Sequence, residues 1–231
     1  MRTVFIWRRT MNTYEFKSYE EIKERLRVRL MDTKAHANIL QKTVHAPVGC
    51  GLALAAYIKL PYEVAEGGIA NVPIGMAQID DVGPERIMED AKNGSITNAK
   101  PRLCAMSNIF FGNKDENLLE KGNAAEDVLY VLTTEDGLLG ASTFFYPGIK
   151  ERIADVMGRD YFVLPSSVHE VLILPDKGQM EPKELLQMVK SINEAEVAPK
   201  DRLCDRVFKY HTDTQELTVA ADFERKRELE R

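Results

Sequence analysis

Several chemical signatures are missing from this 231-residue chain. It has three cysteines, Cys50, Cys104 and Cys204, and no CxxC pair. That leaves no zinc knuckle or thioredoxin-type site in the sequence, and three lone thiols suit a reducing cytosol. There are four histidines and no HExxH. His36 with His45, and His169 with His211, do not supply the three or four converging ligands that a metal site needs, so no metal is expected. Neither GxGxxG nor GxxxxGK followed by Ser or Thr occurs, so no nucleotide or other cofactor is expected. Gly49-Cys50-Gly51 comes before an apolar run, whereas a phosphate loop would follow a strand and open a helix. Long apolar runs are absent too. The stretch 52–58 is far short of the roughly 20 residues that cross a bilayer. The N-terminal run from Val4 to Trp7 is shorter than the apolar core of about 7–15 residues in a signal peptide. The expectation is a cytoplasmic protein without membrane contact, in which residues 1–10 read as an upstream-start extension.

Positive charge is also in deficit. Lys and Arg number 31 against 36 Asp and Glu, giving a net charge of −5. A protein whose main task is gripping nucleic-acid phosphates needs a basic face, which this balance does not favour. What is present is ordinary globular material: hydrophobic residues at 44 % can build a core, so the chain is not read as disordered.

Taken in order, 18–30 reads as a helix. Ser18 and Glu21 form a capping pair, and Ile22, Leu26 and Leu30 make a stripe at i, i+4, i+8. A further helical turn runs through Ala35, Ala37 and Ile39. The stretch 52–60 reads as a strand, 63–68 as a turn, and 69–79 as a second strand interrupted by Pro73 and Gly75. A helix spans 84–93, with Pro84 at its start and Gly94 after its end. The stretch 98–108 is read as extended or irregular, and 114–123 as a polar loop. Then come a strand at 128–133, an Asp-Gly turn, a partner strand at 138–146 and a helix from Pro147 to about Met157. Two extended runs, 161–164 and 168–174, are followed by a helix over 181–193. A closing hairpin uses 206–210 and 217–219.

This pattern predicts an α+β fold, a mixed or mainly antiparallel sheet with helices packed on one face. Strand, strand, Pro-initiated helix occurs at 52–93 and again at 128–158, and ERIMEDAKNG resembles ERIADVMGRD, which suggests a duplicated ββα unit. The expected organisation is an N-terminal extension at 1–17, a first α+β half at 18–112 and a surface loop at 113–127. A second half at 128–219 shares one core with the first, and a charged tail covers 220–231.

Chemistry-bearing residues concentrate in 161–175, YFVLPSSVHEVLILP. Ser166, Ser167, His169 and Glu170 are the catalytic candidates, since a hydrolase needs a nucleophile, a base and a group that orients the base. If the backbone runs extended from Val168, Ser167 and His169 share a face and Glu170 points away. The orienting group would then come from elsewhere, from Asp160 or Asp205. No GxSxG elbow is present. The simpler reading is a Pro-Ser-Ser turn whose hydroxyls bond local backbone. Lys100 and Arg102 in one loop, and Arg225, Lys226 and Arg227 in the tail, are the candidates for partner or nucleic-acid binding. Nearby acids make solvated charge the plainer reading of both. The paired carboxylates Asp80-Asp81 and Glu194 with Glu196 read as solvated.

Several strings together carry a family resemblance: NAKPRL at 98–103, YVLT at 130–133, Gly140-Ala141, YPG at 146–148, LPSSVHEVLILP at 164–175, MVKSIN at 188–193, EVAP at 196–199 and D-x-V-F-x-Y over 205–210. Over about Arg25 to Val219 the chain resembles the core of an uncharacterised bacterial domain-of-unknown-function family, number 5688, without its N-terminal extension. The resemblance implies unity of fold, bacterial origin and an association with mobile genetic elements. It implies no reaction. The sequence therefore favours a non-enzymatic accessory protein that binds a macromolecular partner, a protein such as a component of host defence or transfer machinery. The alternatives are a serine hydrolase using Ser167 and His169, and a nucleic-acid-binding module.

Overall fold

The computed structural model describes residues 5–9, 12–16, 18–62, 65, 68–78, 82–110, 117–122, 129–165 and 167–222. The chain is α+β and divides into two compact units, Met1–Ala99 and Lys100–Arg231. That division falls upstream of the 113–127 stretch where the sequence puts an internal loop.

The first unit begins with an antiparallel hairpin of β1 (Phe5–Arg9) and β2 (Asn12–Phe16), in the stretch set aside as an extension. Helix α1 (Tyr19–Arg25) opens at Ser18, whose hydroxyl accepts the Glu21 amide at 3.3 Å. The helix expected over 18–30 stops there. β3 (Leu26–Asp32) follows as a strand, because Leu26, Val28 and Leu30 also alternate at period two and the β-branched Val28 sits among them. Then come α2 (Ala37–Leu40), β4 (His45–Gly49), β5 (Leu52–Lys59) and β6 (Ile69–Asn71). The second strand expected over 69–79 ends at Asn71. Pro73 keeps only an isolated bridge to Thr43, and 74–78 coils into a 3-10 turn. β5 is the hub: β3 pairs along one side, while β4 and β6 share the other.

Helix α3 (Pro84–Asn98) runs past the predicted stop at Gly94. Gly94 is instead a point of close approach: a Cβ there would collide with the Leu26 carbonyl oxygen. Ser95 Oγ accepts the Val28 amide at 2.8 Å, so α3 covers the outer edge of β3 and uses one of its free donors. Asp90, 6 % exposed, ties α1 to α3 by accepting from Tyr19 Oη at 2.9 Å and Arg86 Nε at 3.1 Å, with Lys23 Nζ at 3.7 Å.

The second unit holds β7 (Pro101–Ala105), α4 (Met106–Phe110), α5 (Leu118–Lys121) and β8 (Tyr130–Thr134). The strand predicted over 138–146 is a 3-10 helix from Gly140 to Phe145. α6 (Ile149–Met157), β9 (Tyr161–Leu164), β10 (Val171–Pro175), α7 (Pro182–Ala195), β11 (Arg206–His211) and β12 (Glu216–Asp222) complete it. Six strands form one sheet in the order β12-β11-β9-β10-β8-β7, and every neighbouring pair is antiparallel. Alternate residues feed two cores. Phe162, Leu164, Leu172 and Val131 pack with Leu185, Leu186 and Val189 of α7. On the other face Tyr161 meets Phe144 edge-on, stacks on Tyr210 at 5.1 Å and donates its hydroxyl to the Lys150 carbonyl of α6. Helices thus lie on both faces of this sheet. Because β8 leads into a 3-10 helix and not a hairpin partner, the second half does not repeat a ββα unit.

Replacing Asp90 by Ala leaves the buried Tyr19 hydroxyl without its acceptor. Denaturant unfolding of Asp90→Ala is expected to show a loss of about 1–3 kcal/mol. A change within error of zero would mean that the α1–α3 tie is not needed for stability.

Candidate functional site

Strand β10 starts at Val171, so the backbone is bent at Val168 and His169, not extended there as the sequence suggested. The bend decides where the Ser167 hydroxyl and the His169 ring point. Ser167 is buried and its Oγ accepts the backbone amide of His169 at 3.0 Å, while its backbone bridges to Arg202. His169 Nδ1 accepts the Leu139 amide at 3.2 Å. An accepting Nδ1 holds the lone pair, so the ring proton sits on Nε2, which faces Asp201 Oδ1 at 3.6 Å. The orienting carboxylate is Asp201, neither Asp160 nor Asp205. Neither ring nitrogen is aimed at the Ser167 hydroxyl, and a general base needs that contact.

The same residue anchors the 3-10 helix. His169 O accepts from Thr133 Oγ1 at 2.9 Å. Gly140 lies so close that a Cβ would stand 2.5 Å from Thr133 Oγ1 and 2.6 Å from both His169 O and Thr134 N. Leu139 itself has φ +51°, a strained value for a γ-branched residue. Glu170 is half-buried, and burial raises its carboxyl pKa against the opposing pull of His169. Glu170 and Arg102 both act on the Cys104 thiol, which burial pushes up most strongly. Arg102 sits on β7 opposite Thr133, with Cys104 two residues on. Lys100 is exposed just before that strand. Lys100 and Arg102 are therefore near each other, whereas Ser166 and the tail candidates Arg225, Lys226 and Arg227 lie outside the described residues.

The most open chemistry in the second unit is elsewhere. A cleft of about 380 Å³ is lined by Glu151, Asp155 and Arg159 together with Tyr210, Thr212 and Gln215. Glu151 and Asp155 stand one turn apart on α6, so both carboxylates face the same way. Tyr210 Oη donates to Glu151 Oε1 at 3.4 Å. Burial raises the Tyr210 pKa, and the negative charges of Glu151 and Asp155 raise it further. Beside the cleft, Asp160 accepts both the amide and the hydroxyl of Thr212, at 3.0 and 2.8 Å. Lys209 Nζ lies 2.7 Å from Asp176 and 3.4 Å from Asp160. His211 Nδ1 is 3.5 Å from Asp160. Hydrogen bonds from Thr212 hold Asp160 below the usual carboxylate range, and the Lys209 hydrogen bond does the same for Asp176. The Asp176 hydrogen bond raises Lys209. Sequence reasoning missed this group because its members come from α6, β11, the β11–β12 turn and the residues just before β9 and just after β10. The one available signal was the i, i+4 spacing of Glu151 and Asp155.

Among the described residues no set of three or more His, Cys, Asp or Glu side chains converges as metal ligands, and no helix is long and apolar enough to cross a membrane. A family model described as "Family of unknown function (DUF5688)" matches residues 7–212. No curated protein and no solved structure matches the chain.

Two outcomes are expected. His169→Ala removes the acceptor of the half-buried Leu139 amide and should cost about 1–3 kcal/mol in denaturant unfolding, while a fluorophosphonate probe leaves the wild-type chain unlabelled. Labelling that disappears in Ser167→Ala would restore the hydrolase. The second concerns acid. Asp160 and Asp176 titrate lower in the folded chain than unfolded, so their stabilisation is present above the unfolded carboxylate pKa near 4 and is lost as pH falls through the folded values. Melts between pH 5 and 2 should therefore fall more steeply for wild type than for Asp160→Asn; parallel curves would contradict it.

Proposed function

The chain belongs to the DUF5688 family of unknown function, and on that premise we propose that it is a non-enzymatic binding protein whose second unit takes a lysine side chain of a protein partner. The observation that carries this reading is the cleft beside α6, where Glu151 and Asp155 share a wall with the Tyr210 hydroxyl, Thr212 and Gln215, two acids against the single cation of Arg159. An ammonium brings three donors and no acceptor. Two carboxylates, a hydroxyl and an amide oxygen supply acceptors for all three. Burial raises the Tyr210 pKa most, and the carboxylates of Glu151 and Asp155 raise it further, a pair of negative charges that favours a cation. A volume of about 380 Å³ accommodates one long side chain and little more. The chain's net charge of −5 steers a basic partner toward it.

This reading gives the partner expected from sequence, a protein such as a defence or transfer component, a defined chemistry: a basic patch with a protruding lysine. The bend at 168–169 supports a binding role by its own geometry, since the Ser167 hydroxyl and the His169 Nδ1 each accept a backbone amide. The hydrolase and nucleic-acid readings have no comparable support.

The test is a titration of isotope-labelled full-length protein with N-acetyl-lysinamide. Shifts should be saturable, centred on Tyr210, Thr212 and Gln215, and absent with the side-chain-acetylated analogue. Glu151→Gln with Asp155→Asn should abolish them. Equal shifts with the neutral analogue, or shifts that survive the double substitution, would overturn the reading.

A further inference from the structure

The first unit carries a second, chemically opposite feature. On β3, Arg27, Arg29 and Met31 point to one face of the sheet, and Ala53, Ala55 and Tyr57 of β5 share it. Leu40 of α2 packs on Met31, Ala53 and Ala55 and roofs one part of this face. Arg29 stands beside the roof. Its direct neighbour across β5 is Ala55, and beyond Ala55 is His45 of β4. Those alanines leave room for the guanidinium to lie across β5 and reach β6, where Nη2 donates to Asn71 Oδ1 at 2.7 Å.

The charge on Arg29 is poorly compensated. Its side chain is half-buried, and burial lowers its pKa, with only Tyr57 opposing that effect. Its Nε–H is buried and has no hydrogen-bond acceptor among the described residues. No carboxylate pairs with it there; the amide of Asn71 is its one hydrogen-bond partner. A desolvated guanidinium ordinarily carries a bidentate carboxylate or phosphate.

Two imidazoles flank it with the same arrangement. Nδ1 of His36 lies 3.3 Å from the Asp32 carbonyl oxygen, and Nδ1 of His45 lies 2.9 Å from the Thr43 carbonyl oxygen. A carbonyl only accepts, so Nδ1 carries the proton in both rings, and Nε2 donates to an oxyanion only when the ring is protonated. His36 is close enough to Arg29 to feel its charge, which adds to burial in lowering the His36 pKa. His45 is exposed.

We propose that Arg29, oriented by Asn71 and flanked by His36 and His45, is the binding site for a small oxyanion, a carboxylate or a phosphate ester. The ligand's two oxygens meet the guanidinium end, and its negative charge supplies the counter-ion that is missing among the described residues. The site is independent of the lysine cleft, in residues and in the charge of what it takes.

The experiment is a titration of full-length, nitrogen-15-labelled protein with inorganic phosphate and, separately, with acetate, at ionic strength matched with sodium chloride. The readouts are the Arg29 Nε–H resonance and the Hε1 resonances of His36 and His45. Saturable movement of all three is expected. A preference for phosphate assigns a phosphorylated ligand, and a preference for acetate assigns a carboxylate; either supports the site. Arg29→Lys keeps the charge but loses the planar fork, and should weaken binding about tenfold. Should that variant fail to fold, Asn71→Ala releases the guanidinium and should weaken binding several-fold. No saturable shift at Arg29 with either probe, or equal shifts with chloride alone, would overturn the proposal.

Discussion

Leu139 donates its amide to Nδ1 of His169 across 3.2 Å, and Thr133 donates its hydroxyl to the carbonyl of the same histidine. These two bonds clamp the start of the 3-10 helix onto β8 and the bend before β10. The clamp closes only because Gly140 has no Cβ; three atoms, two of them backbone, already stand within 2.6 Å of where one would be. Once it closes, Phe144 is delivered onto Tyr161, and Tyr161 onto Tyr210. The aromatic core under α6 therefore depends on a polar contact at the sheet's end. Burying the Leu139 amide and the Thr133 hydroxyl without their acceptors would cost more than the bonds contribute.

That clamp also decides where reactivity is left. His169 holds the Leu139 amide with Nδ1 and turns Nε2 toward Asp201, and neither contact is with the Ser167 hydroxyl. The charges that remain open to a ligand sit at the rims of the two sheets. In the second unit, acids on α6 face a hydroxyl from β11, and Lys209 is held between Asp160 and Asp176 and so is not offered outward. In the first unit the imbalance has the other sign: among the described residues, the half-buried guanidinium of Arg29 is held by an amide alone. Fully paired charges stabilise a fold. Incompletely paired ones are where an outside group gains most.

The legible parts of the fold were those where one period dominates. α6, α7, β5, β8 and β9 fall where their apolar spacing puts them, and the Gly158 stop follows from its left-handed φ of +66°. Misreadings came where one pattern satisfies two periods. Ile22, Leu26 and Leu30 fit a helix, yet from Leu26 onward they fit a strand equally, and pairing with β5 selects the strand. Residues 138–146 have strand composition, but the approach of Gly140 to His169 forces a 3-10 helix. Gly94 has the look of a helix stop and is a contact with β3. Of the candidate residues, the serine and histidine were visible as types, and their uselessness to each other was not.

The amino-acid order alone settled the α+β class, the antiparallel tendency and the family, because these rest on local periodicity and short strings. Which groups meet was decided by folding. Asp201 reaches His169 across 32 positions, Ser95 reaches Val28 across 67, and Arg29 reaches Asn71 across 42. Such partners are selected by strand register and helix packing, which local spacing does not encode, so the two charged sites existed only once the sheets had formed.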